Sequence, residues 1–530
     1  MNQPNPDNFV NSYSDTRGQV TSAMPFSQAI IEGLADGGGL FVPKILPKLN
    51  LDEITQLAQQ PYALRAAYIY RRFGVDFTPE HIESMMHAAY SNNFTDAEIT
   101  PITKVGDNSY LLELVHGPTA AFKDLALQCL PHFFSAALEK HFGSETTAAS
   151  LDNPTIPLHL ILVATSGDTG SAALAGFSNR DHTAVIVYYP KDGVSDIQMR
   201  QMACAEGDNV KVVAVKGNFD DCQTAVKQVF NDPNFAAELA KDNVKLSSAN
   251  SINWGRLLPQ IVYYVSAYAQ MVATQAIQPG QPIDVCVPTG NFGNILAAWY
   301  AREIGTPIGR LYCASNENRV LTDFINTGTY DIADRQFTTT PSPSMDILVS
   351  SNLERQLFEL NGRDPELITQ WMTALSTERK FSVDKTTFEA LRRDFSADWV
   401  SNDESLDTIR EVYETHGYLL DPHTAVAWKV AERLRSSDEV PVLIVATAHW
   451  AKFPDDVYRA LNSLPAGTEL PVEIADLSGS ELIAQLQQSY AISDAPELLA
   501  SLDNKPIRFT ESCEGTPEAL MLSITSWLNA

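Results

Sequence analysis

Cationic side chains are scarce in this 530-residue chain: 37 lysines and arginines stand against 65 aspartates and glutamates, a formal net charge of −28. A field of that sign repels nucleic acid and anionic lipid, so neither is expected as a partner, and any anionic ligand must be held by a local site. Cysteine is scarcer still. The six residues Cys129, Cys204, Cys222, Cys286, Cys313 and Cys513 lie far apart and form no CxxC pair. That argues against a disulfide framework and a structural zinc site, and it fits a reducing, cytoplasmic setting. The chain has no apolar run approaching the roughly 20 residues of a membrane span. Residues 1–6 lack the basic start and apolar core of a leader, so neither insertion nor export is expected. The scattered histidines, such as His132 and His141 or His416 and His423, match no ligand spacing. They read as packing or surface residues, and no metal is expected.

With 44% hydrophobic residues the chain can bury a full core, and its length allows two or three domains. Residues 1–100 read as a mostly helical domain, with a periodic segment at 26–34 closed by the glycine cluster at 37–39. From about residue 101 onward, short apolar runs at 158–164, 184–189, 210–215, 283–287 and 442–446 alternate with helical stretches. That alternation predicts an α/β region built on parallel sheet with helices on both faces. Residues 350–420 are richer in charge and helical in period, and read as an insertion or second helical lobe. After Lys123 a helical stripe runs through Leu125, Leu130, Phe133, Phe134, Ala137 and Leu138. The lysine therefore sits at or just before a helix start, and Pro131 is expected to kink that helix.

Five features carry chemistry. Lys123 is the candidate nucleophilic amine. The run at 158–164 leads into Thr165, Ser166, Gly167, Asp168, Thr169 and Gly170, a strand, tight turn and helix. Ser166, Thr169 and Gly170 can cradle a carboxylate or phosphate there; taken alone, the turn reads first as an ordinary capped helix. A second such turn follows the run at 283–287 and holds Gly290, Asn291, Phe292, Gly293 and Asn294, where two glycines let backbone amides close on a phosphate. Between the turns, residues 248–256 crowd hydroxyl, amide and guanidinium groups ahead of an apolar helix beginning near Leu257. Arg256 can fork onto a phosphate, or be the surface arginine of an Asn/Ser loop. Thr447 ends an apolar run, where ligands sit in open α/β sheets, although such a threonine is by itself an ordinary strand-end residue. One lysine with two anion-binding turns points to pyridoxal 5'-phosphate, whose aldehyde needs an amine and whose phosphate needs unobstructed backbone donors.

These motifs resemble the threonine synthases. The resemblance is carried by residues 16–18, 32–34 with 38–40, 116–128, 164–173, 250–264, 288–296, 316–330, 343–359, 420–426 and 446–453, in the family's order across nearly the whole chain. It implies a fold type II pyridoxal-phosphate enzyme: two doubly wound parallel-sheet lobes over 101–530, with an N-terminal mostly helical domain. It also implies conversion of O-phospho-L-homoserine and water to L-threonine and phosphate by a monomer or homodimer. By the same resemblance Lys123 is the Schiff-base lysine, Gly290 to Asn294 hold the cofactor phosphate, and Thr447 faces the pyridine nitrogen. Thr165, Ser166, Asp168 and Thr169 lie against the substrate carboxylate and the cofactor ring hydroxyl, and Ser251, Asn253 and Arg256 receive the substrate phosphate. Two positions depart from the family: Asp15 stands where a serine is usual, and Trp450 where a proline is commoner. A dehydratase or β-replacing enzyme on the same fold, or a phosphate-binding protein without catalysis, are the rival readings. Arg256 separates the first, since a substrate without phosphate leaves its charge unpartnered, and Lys123 the second.

Overall fold

The computed structural model describes residues 9–143, 156–435, 437 and 439–529. Residues 1–6, expected to hold no leader, lie outside that set. Two open sheets dominate the molecule. The larger has six strands in the order Phe395–Trp399, Ile308–Ser315, Ile283–Pro288, Val442–Ala446, Ser109–Glu113 and Ile102–Gly106, all parallel except the last. The smaller has five parallel strands, Ser512–Glu514, Val210–Lys216, Thr183–Pro190, Leu158–Ala164 and Val244–Ser247. Every apolar run named from the sequence is a strand here. The inner ones are continuous apolar runs because helices cover both faces: all eight residues of Thr183–Pro190 are buried.

Three local expectations change. The helical stripe after Lys123 is broken into Lys123–Leu127 and Leu130–Phe142. Pro131 stands in the first turn of the second helix, where its missing N–H is no loss, so it begins a helix and does not kink one. Residues 350–420 do contain four helices, Leu353–Leu360, Pro365–Glu378, Lys385–Asp394 and Asn402–His416, but Phe395–Trp399 is the edge strand of the larger sheet. The apolar helix expected near Leu257 starts earlier, at Trp254, so Arg256 lies inside its first turn.

The described residues up to 100 carry four α-helices and a short antiparallel pairing of Tyr13–Asp15 with Phe41–Pro43. Their aromatic side chains join the same core as the helix Trp254–Ala273: Tyr13 meets Trp254 edge-on at 5.8 Å and Phe26 meets Phe133 at 5.8 Å. Such pairs add about 0.5–1.5 kcal/mol each beyond burial. No helix among the described residues is long and apolar enough to cross a membrane.

Candidate active site

The C-terminal ends of strands from both sheets face one cleft of about 390 Å³, the position at which open α/β sheets bind ligands. Thr447, just past Val442–Ala446, accepts through its carbonyl from the Phe122 N–H at 2.8 Å. That bond sets Thr447 beside Lys123. The turn before Lys123 is fixed by Asp124, whose carboxylate accepts from the Thr119 N–H at 2.8 Å and its hydroxyl at 2.6 Å.

Lys123 begins its helix, and its Nζ donates to Ser344 Oγ at 2.8 Å and pairs with Asp168 Oδ2 at 3.3 Å. Burial pushes the Lys123 amine down from the ordinary lysine range; Asp168 opposes this, and the like charges of Arg256 and Lys452 add to it. Burial acts to raise Asp168, but Lys452 and Lys123 outweigh it and hold the carboxyl well below its usual range.

The first turn opens at Gly167, whose φ of +126° few side chains adopt and where a Cβ would stand 2.4 Å from the Gln198 side chain. Thr165 Oγ1 accepts from the N–H groups of Gly167 and Gly170, each at 2.9 Å. The Gly170 N–H is therefore committed to capping the helix and is not offered to an anion, contrary to the cradle expected there. Thr165, Ser166 and Thr169 line the cleft. Asp168, expected against the cofactor, is not part of that lining and lies behind Lys123, bonded to Gln198, Ser344 and Lys452.

In the second turn, Phe292 takes a φ of +61° and the helix Gly293–Glu303 begins with no side-chain cap. The first N–H groups of a helix have no partner within it. A Cβ on Gly290 would lie 2.6 Å from the Ser344 carbonyl, so only glycine lets the two segments approach this closely. Asn294 accepts from the Tyr263 and Tyr264 hydroxyls at 2.7 and 2.5 Å, while its buried Nδ2 has no partner. Gly290, Asn291, Phe292, Gly293 and Asn294 all line the cleft.

Ser251 and Arg256 also line the cleft. Arg256 donates through Nη1 to the Ala249 carbonyl at 2.8 Å, and its buried Nε has no partner. Burial lowers it to about 10, which leaves it cationic at neutral pH. Asn253 does not line the cleft: Oδ1 caps the helix by accepting from the Gly255 N–H at 2.9 Å, and Nδ2 donates to the Ile30 carbonyl at 2.8 Å. Both ends of the amide are spent, so its expected place at the substrate is corrected to that of a cap.

Three further groups escaped sequence reading. Ser344 reaches Lys123 from a Ser/Pro-rich loop. His423, expected as a packing or surface residue, lines the cleft. Its Nε2 accepts from the Ser344 N–H at 3.1 Å and its Nδ1 faces Asp421 Oδ1 at 2.8 Å. Asp421 also caps the helix Pro422–Leu434, and that Asp-Pro helix start was the available signal. Lys452, wholly buried, pairs with Asp168 Oδ1 at 3.1 Å. Of the two departures, Asp15 accepts from the N–H groups of Arg17 and Val20 at 2.8 and 2.7 Å, while Trp450 is buried against His449.

A cofactor carrying an aldehyde and a phosphate fits this cleft. The cleft offers an amine and an uncapped helix start opened by Gly290, and the buried Asn294 Nδ2 and Arg256 Nε have no acceptor. The sequence matches the family described as pyridoxal-phosphate dependent enzyme over residues 98–447, threonine synthase N terminus over 12–90, and threonine synthase, C-terminal over 424–514. It is 46% identical over 452 residues to threonine synthase-like 1 of Homo sapiens, covering 84% of this chain and 59% of that protein. The chain thus spans about three-fifths of the length of those relatives. It is 39% identical to threonine synthase of Pseudomonas aeruginosa, covering 88% of this chain and 93% of that one. Among solved structures, yeast threonine synthase superposes with a TM-score of 0.83 at 33% identity over 99% of this chain and 100% of that one. PLP-bound threonine synthase from Brucella melitensis gives 0.82 at 34% identity, covering 98% and 100%.

Proposed function

Because the chain belongs to the threonine synthase family of pyridoxal-phosphate dependent enzymes, we propose that it converts O-phospho-L-homoserine and water into L-threonine and phosphate. The observation that carries the reading is the buried Arg256 Nε, a cationic donor without a partner on the cleft wall. A substrate without a phosphate would leave it so.

When bound, pyridoxal phosphate supplies an aldehyde that captures amines and a ring system that withdraws electrons from the substrate's α carbon. The turn from Gly290 to Asn294 would hold its phosphate through backbone N–H groups and Asn294 Nδ2. Thr447 would be the residue offered to the ring nitrogen, and its neutral hydroxyl would supply no carboxylate to keep that nitrogen protonated. Lys123 would provide the amine that anchors the cofactor and, as a free amine, would take the substrate's α proton and return one there before threonine leaves. Its burial favours the uncharged, proton-accepting form.

Thr165, Ser166 and Thr169 receive the substrate carboxylate. Ser251 and Arg256 would bind the phosphate and stabilise its charge as a β proton is lost and the bond from the γ carbon to the phosphate oxygen breaks; the γ carbon then gains a proton, and water adds its hydroxyl at the β carbon with a proton at the α carbon. The decisive experiment measures phosphate release from O-phosphohomoserine together with chromatographic detection of threonine. Phosphate without threonine, or neither product, would sink this reading. The domain division expected from the sequence is offered in the same spirit: a mostly helical unit over 1–100 serving a catalytic region over 101–530.

A further inference from the structure

Lys452 contacts neither cleft nor solvent, yet it is a wholly buried ammonium in the middle of the molecule. An ammonium has three donors, and a buried one is tolerated only when they are satisfied. Here each finds an acceptor: Asp168 Oδ1 at 3.1 Å, the Thr119 carbonyl at 2.6 Å and Gln201 Oε1 at 2.9 Å. Thr119 belongs to the turn that leads into Lys123, and Asp168 is the carboxylate behind Lys123. Lys452 thus grips both the turn that carries the reactive amine and the carboxylate that faces it.

The division of Asp168 between its two sides matters. Oδ2 faces Lys123 at 3.3 Å and accepts from the Ser344 hydroxyl at 3.0 Å; Oδ1 faces Lys452 and accepts from Gln198 Nε2 at 2.9 Å. A buried carboxylate with only one cation beside it would hold that cation charged. If the one cation were Lys123, the amine would be locked in its protonated, unreactive form. We propose that Lys452 is a positioning residue for the reaction: it serves as the standing counterion of Asp168, so that Lys123 can present an uncharged amine while remaining hydrogen-bonded in place. The charged groups bearing on Lys123 are Asp168, Arg256 and Lys452, with His423 acting on Asp168. Of these, Lys452 alone both touches Asp168 Oδ1 as a cation and stays out of the cleft lining.

The inference rests on the proposed function for its meaning, since it is the chemistry of Lys123 that an uncharged amine serves. Its test reads the amine directly. Full-length wild type and Lys452→Met, without added cofactor, are acetylated by trace acetic anhydride at increasing pH, and labelling of Lys123 is followed by peptide mass mapping. The midpoint should move up by about one pH unit or more in Lys452→Met, as expected when a nearby like charge is lost. Gln201→Leu removes a hydrogen bond and keeps the charge, and should leave the midpoint at the wild-type value. Equal midpoints for wild type and Lys452→Met, or the same rise in Gln201→Leu, overturn the inference.

Should Lys452→Met fail to fold, Lys452→Gln replaces it, an uncharged side chain whose amide can still donate to the Thr119 carbonyl and Gln201. A rise of the Lys123 midpoint in it supports the role and no rise overturns it. Pyridoxal 5'-phosphate added to the folded variants gives a second reading. Its visible absorbance band should develop more slowly in Lys452→Met at neutral pH and recover as pH is raised; a slow band that higher pH does not restore counts against the proposal. A wild type that captures pyridoxal phosphate but forms no threonine would remove the proposed function and leave the Lys123 midpoint to judge Lys452.

Discussion

Ser344 Oγ lies 2.8 Å from Lys123 Nζ, across 221 positions of chain. The same hydroxyl donates to Asp168 Oδ2, and the Ser344 N–H is held by His423, so the contact is fixed from the backbone outward. A hydrogen bond to a charged group contributes about 1.5–3 kcal/mol. Ser344→Ala should therefore fold normally and lose about ten- to hundredfold in turnover. Steady-state kinetics check this, and wild-type turnover would show the bond to be idle.

Lys123→Ala should abolish threonine formation without unfolding the chain. Asp168 keeps Lys452, Gln198 and Ser344 as partners when Lys123 is gone, so no carboxylate is orphaned. Circular dichroism melting should stay close to wild type while product disappears. Retained turnover would refute the role given to Lys123.

Arg256→Ala should separate the two phosphates. In the proposed function the guanidinium serves the substrate phosphate and the Gly290 to Asn294 turn serves the cofactor, so its loss should raise KM for O-phosphohomoserine by about tenfold or more. The dissociation constant of pyridoxal phosphate should barely change. Equal loss of both would mean that the two anion sites have been assigned the wrong way round.

What could be read in the sequence follows from how many faces of an element are buried. Val442–Ala446 and Leu158–Ala164 are central strands with apolar residues on both faces, so they stand out as runs. Phe395–Trp399 pairs on one side only, and its alternating burial leaves serine and aspartate in the run, which hides it among charged helices. Gly290 and Gly167 announce their turns because no other residue fits there. Lys123, Asp168 and Lys452 form one charge cluster only because strands from the two sheets deliver them to one place. Sequence spacing carries no trace of that meeting. His423 is hidden for the same reason, its partner Ser344 being 79 residues away.

Gly290→Ala should damage the cleft through the backbone. The added carbon would sit 2.6 Å from the Ser344 carbonyl and 3.2 Å from Met345 Cα, and neither is the movable end of a side chain. Overpacking of this kind costs about 1–3 kcal/mol. Because the displaced segment carries Ser344, cofactor capture should weaken along with melting temperature. A variant that binds pyridoxal phosphate as wild type does would show that the loop can yield.

His159 gives the chain a defined acid sensitivity. Its ring is buried between Phe134 and Phe142, with Nδ1 against the Pro157 carbonyl at 3.0 Å. Burial pushes it down to about 4 from its ordinary 6.5. The unfolded chain takes up a proton below 6.5 that the folded chain refuses until about 4, so the stability this residue contributes is present above 6.5 and lost as pH falls through that window. His159→Phe keeps an aromatic ring in the gap and removes the titration. It leaves the Pro157 carbonyl without its donor, a cost that does not vary with pH. Between about pH 7 and pH 5 wild type should lose about 2 kcal/mol more than the variant through this one group. Urea unfolding of both proteins at the two pH values measures the difference, and parallel losses would show that His159 titrates alike in the folded and unfolded chain.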